Sequence, residues 1–176
     1  MIKFDFDKEY QKTTESLVTI RFQDCDPLRH LNNAKYFDYY YNARDDQVPK
    51  LYGFKGSELY TEYQAIWVVY NHQIAYLKSA MMGEWVCIFS SIIWHNENTM
   101  VVEYYMTDER RKHLKNIMWT TLKFVSWEGK SVQHPEVVMR FLDKVSLKEF
   151  AYHPNGFQER LKHLKNWIKE GNLAAS

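Results

Sequence analysis

The sequence predicts an α+β fold in which one long helix packs across the concave face of a curved antiparallel sheet of about five strands. Three observations support this prediction. A lone strand is followed by a long helix, four later segments have strand-like hydrophobicity, and the links between those four are short and polar. The helix and the sheet each have an apolar face, and packing the helix across the sheet buries both faces.

The first half of the chain supplies the lone strand and the helix. Residues 16–24 alternate in polarity and include β-branched side chains, which is typical of a strand. After a polar loop, residues 33–48 contain no Gly or Pro, and their aromatic side chains recur at helical spacing. We expect Asn32 or Asn33 to cap this helix and Pro49 to end it.

The second half changes to strand periodicity, and the short links imply antiparallel neighbours. The four predicted strands cover about residues 65–77, 84–94, 99–107 and 116–127. The pattern then weakens until an amphipathic helix at about 156–170. We therefore expect one domain over residues 1–176, with a core of about 10–145 and a C-terminal extension with a helix at about 146–176.

Composition and charge exclude several classes of function. The 23 Lys and Arg balance 22 Asp and Glu, so the chain lacks the basic excess of a nucleic-acid-binding protein. The charged N-terminal segment has no signal-peptide core, and no apolar run approaches the ~18 residues of a membrane span. We expect a cytoplasmic protein without a membrane partner. The aromatic content is unusually high, with 10 Phe, 6 Trp and 13 Tyr. Composition alone does not show where these large rings pack.

Motifs for cofactor and metal chemistry are missing from the sequence. Two cysteines are too few for a disulfide framework or a four-sulfur zinc site, and there is no Gly-rich phosphate loop. Cys25 is a poor nucleophile candidate because the flanking Asp24 and Asp26 should raise the pKa of its thiol.

Residues 21–36 concentrate Asp, His and Asn where the first strand gives way to the helix. A helix N-terminus offers unpaired backbone N–H groups and the positive end of the helix dipole. A carboxylate beside such donors suits acyl chemistry, because the amides polarise a carbonyl while the carboxylate, or a water it activates, attacks the carbon. The alternative is that Asp24 and Asp26 are turn and capping residues, which Asp-x-Asp-Pro often contains.

Four short motifs carry a family resemblance: Phe22-x-Asp24-x-Asp26, His30-x-Asn32-Asn33, Tyr36-x-x-Tyr39 and Ala43-Arg44. Together they resemble the signature of the hot-dog acyl-CoA thioesterases of the 4-hydroxybenzoyl-CoA thioesterase type. The resemblance implies a hot-dog fold and hydrolysis of an acyl-CoA without a metal or organic cofactor. It also implies active sites between the subunits of a homodimer or homotetramer.

The resemblance also implies roles for individual residues. Asp26 matches the catalytic carboxylate, acting as nucleophile or general base, and the backbone N–H of Asn33 matches the oxyanion donor. His30 could orient the carboxylate or the substrate, or could be a loop histidine bonded to a nearby carbonyl. Tyr36 and Tyr39 are expected to line the acyl pocket or the core.

Three positions depart from the family pattern. Arg29 stands where the family usually has Gly, so the loop backbone could differ or the guanidinium could enter the site. Tyr41 stands where relatives often have a carboxylate. The turn that some relatives use for the CoA phosphates is not basic here, so Arg110 and Arg111 are the candidates for that contact, unless they form a solvated hairpin tip.

Two other functions compete with acyl-CoA hydrolysis. One is hydrolysis of acyl groups carried by acyl carrier protein, which a basic docking patch beside the pocket mouth would favour. The other is non-catalytic binding of acyl-CoA, which the departures at Arg29 and Tyr41 leave open.

Overall fold

The computed structural model describes residues 2–173, which form five strands and four helices. In chain order they are β1 (Thr13–Thr19), α1 (Tyr36–Tyr52), α2 (Gly56–Tyr63), β2 (Ala65–Tyr76), β3 (Trp85–His95), β4 (Thr99–Asp108), β5 (Leu114–Ser126), α3 (Glu136–Val145) and α4 (Phe157–Lys169). In this part of the chain, no helix combines the length and the apolar character needed to cross a membrane.

The five strands form one antiparallel sheet in the order β1-β3-β4-β5-β2. The short links correctly predict the β3–β4 and β4–β5 pairs, but the prediction that β2 and β3 are neighbours is wrong. β2 pairs with β5 at the edge of the sheet, and the link after β2 bonds to the loop before α1 instead of forming a hairpin. Because side chains alternate along a strand, each face of the sheet has its own core. Ile88 on β3 belongs to the core that contains Tyr40 of α1, whereas the next residue, Phe89, belongs to the core that contains Leu164 of α4. The predicted α+β architecture, with a central helix on the sheet and an added C-terminal helix, is confirmed.

A buried ion pair helps to hold α4 on the outer face of the sheet. Glu103 on β4 is 1% exposed, and its carboxylate accepts hydrogen bonds from the guanidinium of Arg160 and from Nε1 of Trp119. The C-terminal extension is therefore packed against the sheet rather than trailing from it.

The first strand ends earlier than predicted. β1 stops at Thr19, and Phe22–Asp24 form a short 3₁₀ turn in which the N–H of Cys25 donates to the carbonyl of Phe22 at 3.2 Å. The side chain of Asn32 accepts from the N–H of Ala34 at 3.0 Å, which confirms Asn32 as the cap of the helical segment.

The prediction that Pro49 ends the long helix is wrong. α1 continues to Tyr52 and ends at Gly53, whose φ of 80° is a left-handed conformation that glycine adopts readily. Pro49 lacks an N–H but still accepts from Gly53, and the next turn places Tyr52 in the core, 5.3 Å from the ring of Phe141. Burial of Tyr52 offsets the hydrogen bond that Pro49 cannot donate.

Two helices were not predicted. α2 is short, and α3 lies in the segment after β5 where the strand periodicity weakens. In α3 the buried side chains of Val138, Phe141, Leu142 and Val145 do recur at helical spacing, so the sequence contained that signal.

Candidate active site

Two loops meet at one end of the sheet and are joined by backbone hydrogen bonds. The N–H of Leu31 donates to the carbonyl of Ala80 at 2.8 Å, and the N–H of Met82 donates to the carbonyl of Arg29 at 2.9 Å. The loop that carries Asp26 is therefore fixed against the segment that follows β2.

Asp26 is half-buried and organises its own loop. Its Oδ1 accepts from the N–H groups of Leu28 at 2.9 Å and His30 at 3.0 Å, which is an Asp-led turn. Its Oδ2 has no hydrogen-bond partner among residues 2–173. One oxygen thus serves the turn, as the alternative interpretation expected, while the other remains available for chemistry.

Arg29 adopts the backbone conformation that glycine favours. Its φ is 63°, in the left-handed region, and its side chain is exposed. The loop therefore has the geometry that suits the glycine of the family pattern, and the guanidinium does not border the cavity that contains Asp26.

A polar cavity of about 320 Å³ brings the predicted residues Asp26, His30, Asn33 and Tyr36 together. The remaining lining residues are Leu31, Tyr76, Leu77, Lys78 and Ser79. The hydroxyl of Tyr76 donates to the carbonyl of Asn33 at 3.0 Å, and its ring meets that of Tyr36 edge to face at 5.3 Å. These contacts join β2 to the start of the helical segment.

The backbone N–H of Asn33 is a free donor at a helix start. Asn33 opens a 3₁₀ turn that leads into α1, and its N–H has no acceptor within the described residues. The cap formed by Asn32 serves Ala34 instead. Asp26, whose Oδ2 has no partner among the described residues, and Asn33, whose N–H is an unpaired donor at the start of the helical segment, therefore line the same cavity.

A buried lysine supports the wall of this cavity. Lys115 on β5 donates from Nζ to the carbonyl of Ser79 at 2.9 Å and lies 2.7 Å from the carboxylate of Glu84. Only 3% of the Lys115 side chain is exposed. Its contacts with Ser79 and Glu84 therefore hold the segment after β2 in place.

Sequence reasoning missed Lys78 and Ser79 as site residues. Lys78 and Ser79 directly follow the strand predicted at about residues 65–77, but nothing local showed that the end of β2 reaches Asp26.

Tyr39 does not border this cavity. Its hydroxyl donates to Oδ2 of Asp24 at 3.0 Å and accepts from the N–H of Arg21 at 2.8 Å, and it lines a separate polar cavity between α1 and β1. Asp24 also lies 3.8 Å from Nζ of Lys35. Asp24 is thus held in structural contacts.

The two arginines of the β4–β5 turn also lie outside the cavity. Arg111 forms an ion pair with Glu15 and extends over the ring of Phe89, on the face of the sheet that α4 covers. Arg110 is exposed.

The pKa shifts of Cys25, Tyr36 and Tyr76 argue against these three side chains as nucleophiles. Burial, followed by the charges of Asp24 and Asp26, raises the pKa of Cys25, so its thiol stays protonated near neutral pH. Burial also raises the pKa of Tyr36 and of Tyr76, which remain hydrogen-bond donors. Within residues 2–173, no group of His, Cys, Asp or Glu is arranged to hold a metal ion.

A second cavity, about 340 Å³ in volume, lies farther along α1 and is mostly apolar. Its walls come from α1, the strands of the sheet and α3, and include Val48, Trp67, Val69, Met100, Leu122 and Phe141. Between the two cavities the rings of Phe37 and His72 are 4.9 Å apart, and the hydroxyl of Tyr41 is 3.3 Å from Nε2 of His72. Burial lowers the pKa of His72, which favours a neutral ring there.

Comparison with known proteins identifies a family and a fold. The model of the thioesterase-like superfamily matches residues 20–143. No curated protein sequence gives a significant match.

Among solved structures, the chain is similar to YbaW, a probable thioesterase from Escherichia coli, with a TM-score of 0.66, 19% identity and coverage of 76% of this chain and 99% of that one. It is also similar to Slr0204, a 1,4-dihydroxy-2-naphthoyl-CoA thioesterase from Synechocystis, with a TM-score of 0.66, 10% identity and coverage of 79% and 99%. A 12:0-ACP thioesterase from Umbellularia californica gives a TM-score of 0.70 at 13% identity, with coverage of 81% and 54%. These likenesses confirm the predicted hot-dog fold.

Proposed function

This chain belongs to the thioesterase-like superfamily, whose reaction is thioester hydrolysis, and from that premise we propose that it hydrolyses an acyl-CoA to the free acid and CoA. The observation that carries the proposal is that Asp26, with a free Oδ2, and Asn33, with an unpaired N–H, line one cavity. A carboxylate and an oxyanion donor are the two groups that attack on a thioester carbonyl requires.

In the proposed reaction the thioester carbonyl oxygen accepts from the N–H of Asn33. Oδ2 of Asp26 either attacks the carbonyl carbon or takes a proton from the water that attacks it. The C–S bond then breaks. In the general-base route the CoA sulfur takes the proton that Asp26 removed from water, whereas in the direct-attack route it leaves as a thiolate and is protonated by solvent. If Asp26 attacks directly, water hydrolyses the resulting anhydride in a second step.

His30 and Tyr36 are proposed to position the substrate. The ring of His30 lines the cavity and has no hydrogen-bond partner within the described residues, while its N–H holds Oδ1 of Asp26. Tyr36 is 3% exposed and forms part of the wall. Tyr39 is assigned to the core side of α1 because its hydroxyl is already bonded to Asp24 and Arg21.

Exposed basic residues supply charge for the CoA phosphates. Arg110 is better available than Arg111, because Arg111 is already ion-paired with Glu15. Lys78 on the cavity wall and Arg29 in the Asp26 loop are also exposed. Guanidinium and ammonium groups both bind phosphate through charge-assisted hydrogen bonds.

We further propose that two copies pair through β2. This strand is one of the two edges of the sheet, and its Val68 and Tyr70 are 46% and 63% exposed. A long edge strand with exposed apolar side chains is a template for pairing with another strand. Both cavities border β2, so a second copy would close their open sides.

The decisive experiment measures free thiol released from acyl-CoAs by wild type, Asp26→Asn and Asp24→Asn. Asp26→Asn should lower kcat by about two orders of magnitude or more, because it removes the attacking or proton-accepting oxygen. Asp24→Asn is the matched control, since Asp24 bonds to Tyr39 outside the cavity. Binding of acyl-CoA without thiol release by wild type would favour the non-catalytic alternative, and equal rates for the two variants would remove Asp26 from the mechanism.

Hydrolysis of acyl groups on acyl carrier protein is the second candidate. The Asp26 loop exposes Phe22 and Leu28 beside Arg21 and Arg29, which suits an acidic carrier with an apolar contact. A higher kcat/KM for the carrier-bound acyl group than for the same acyl-CoA would favour this candidate.

A further inference from the structure

The apolar cavity contains a cation without an anionic partner. Arg44 of α1 is half-buried there, and its one side-chain hydrogen bond runs from Nη1 to Oγ of Ser90 at 2.9 Å. No carboxylate in the described part of the chain lies within ion-pair distance of its guanidinium. Buried cations are normally paired, so a half-buried guanidinium that lines an apolar cavity without an anionic partner is a candidate contact for an anionic ligand.

A second polar group in the same cavity also lacks a partner. Tyr104 on β4 is 2% exposed and lines the cavity, and its hydroxyl makes no hydrogen bond to any residue that the structure describes. Ser90 lies directly across from Tyr104 in the β3–β4 pairing, so Arg44 reaches the sheet beside that tyrosine. Burial raises the pKa of Tyr104, which keeps its hydroxyl protonated as a donor.

We propose that this cavity binds the far end of the acyl group and that Arg44 and Tyr104 bind a carboxylate there. The substrate class is then thioesters of dicarboxylic acids. The assignment of the thioester end to Asp26 rests on the proposed function, whereas carboxylate binding by Arg44 and Tyr104 can be tested without turnover. A guanidinium with a neighbouring hydroxyl donor suits a carboxylate better than a methyl terminus.

The distance between the proposed thioester site at Asn33 and the proposed carboxylate site at Arg44 sets the length of the acyl chain. Asn33 and Arg44 are separated by roughly 16 Å along the helical segment at ~1.5 Å per residue, and helix side chains lean toward the N-terminus, which shortens the gap. Hydrogen bonds of about 3 Å at the two ends leave roughly 10 Å or less for the acyl group, which an extended chain of about eight carbons spans. Phe37, Tyr41 and His72 would lie along its path.

Asp45 is a negative charge in the same cavity, and it would repel a bound carboxylate. It also lines the cavity, but its side chain is exposed, so water and salt screen it. Arg44 extends inward to Ser90 instead. A carboxylate bound between Arg44 and Tyr104 would therefore meet the guanidinium in the drier part of the cavity.

Calorimetric titration of free suberate against octanoate tests the proposal without turnover. Wild type should bind suberate more tightly than octanoate. Tyr104→Phe should weaken suberate binding on the order of tenfold, the effect of losing one hydrogen bond to a charged group. Arg44→Met should weaken it about 100-fold. Ser90 stays paired with Thr14 at 2.6 Å in that variant, so no hydroxyl is left without a partner.

Tyr105→Phe is the matched control, because Tyr105 is the next residue on β4 and stacks on Phe89 on the opposite face of the sheet. It should leave the preference for suberate unchanged. Equal binding of suberate and octanoate by wild type, or the same preference in Tyr104→Phe and Arg44→Met as in wild type, would overturn the proposal.

Turnover separates this inference from the proposed function. The kcat/KM ratio of suberyl-CoA to octanoyl-CoA should exceed one in wild type and fall in Arg44→Met and Tyr104→Phe. Suberate binding without hydrolysis of any thioester would contradict the proposed function alone. Two results would contradict the dicarboxylate assignment alone. One is hydrolysis with equal kcat/KM for suberyl-CoA and octanoyl-CoA. The other is a kcat/KM for suberyl-CoA below that for an acyl-CoA of the same length that ends in a hydroxyl.

Discussion

Replacing Arg160 by Met should destabilise the protein strongly by leaving the carboxylate of Glu103 buried without its cation. In wild type, Nη2 of Arg160 lies 2.7 Å from Oε1 of Glu103 and Nε lies 2.9 Å from Oε2, while Nε1 of Trp119 supplies a further bond at 2.9 Å. After the substitution only the Trp119 bond remains. Breaking a buried pair from one side costs about 3–5 kcal/mol, so we expect a loss of that size in the free energy of unfolding.

Urea unfolding followed by circular dichroism measures this loss. The double variant Glu103→Gln with Arg160→Met should regain part of the stability, because Gln is neutral and can still accept from Trp119. Lys162→Met is the control, because it also replaces a cation by Met but at an exposed position of α4. A loss below about 1 kcal/mol for Arg160→Met, or no recovery in the double variant, would refute the view that the cost arises from an unpaired buried carboxylate.

Three further outcomes are expected. Burial lowers the pKa of His134, whose Nε2 accepts from Trp67 at 2.9 Å, so the unfolded chain takes up a proton near pH 6.5 that the native state resists. Stability should therefore fall as pH drops from about 7 to 5, and His134→Gln should flatten that dependence in urea unfolding. Arg29→Gly should not lower the melting temperature, because φ at this position is already left-handed. Gly53→Ala should lower the free energy of unfolding by about 1 kcal/mol, because Ala is strained at a φ of 80°.

The five strands could be predicted from the sequence because their signal is local. Alternation along each strand decides which residues face a core, and the short polar links of β3, β4 and β5 make those strands antiparallel neighbours. The equally short link from β2 to β3 does not, because β2 pairs with β5. The predicted bounds of β2 to β5 differ from the observed ones by only one or two residues. The grouping of Asp26, His30 and Asn33 was also predictable, because one short loop carries all three.

Short-range rules failed where distant residues decide the outcome. Pro49 should end a helix by local rules, yet α1 continues because Tyr52 packs on Phe141, which is remote in the chain. Tyr39 and Tyr36 lie on the same helix and looked equivalent, but Tyr39 bonds to Asp24 while Tyr36 meets Tyr76.

By itself the sequence determined the fold class and the loop that holds a carboxylate beside a helix start, because both depend on neighbours in the chain. The tertiary structure decided the order of the strands, in which β2 pairs with β5 rather than with β3. Only the tertiary structure decided which side chains share a cavity. It brought Lys78 to the wall beside Asp26 and turned Arg111 toward Glu15. Among the described residues it left Arg44 without an anionic partner and the hydroxyl of Tyr104 without a hydrogen-bond partner in an apolar cavity. Those outcomes depend on strand register and on the packing of α1 against the sheet, where residues far apart in sequence come within hydrogen-bonding distance.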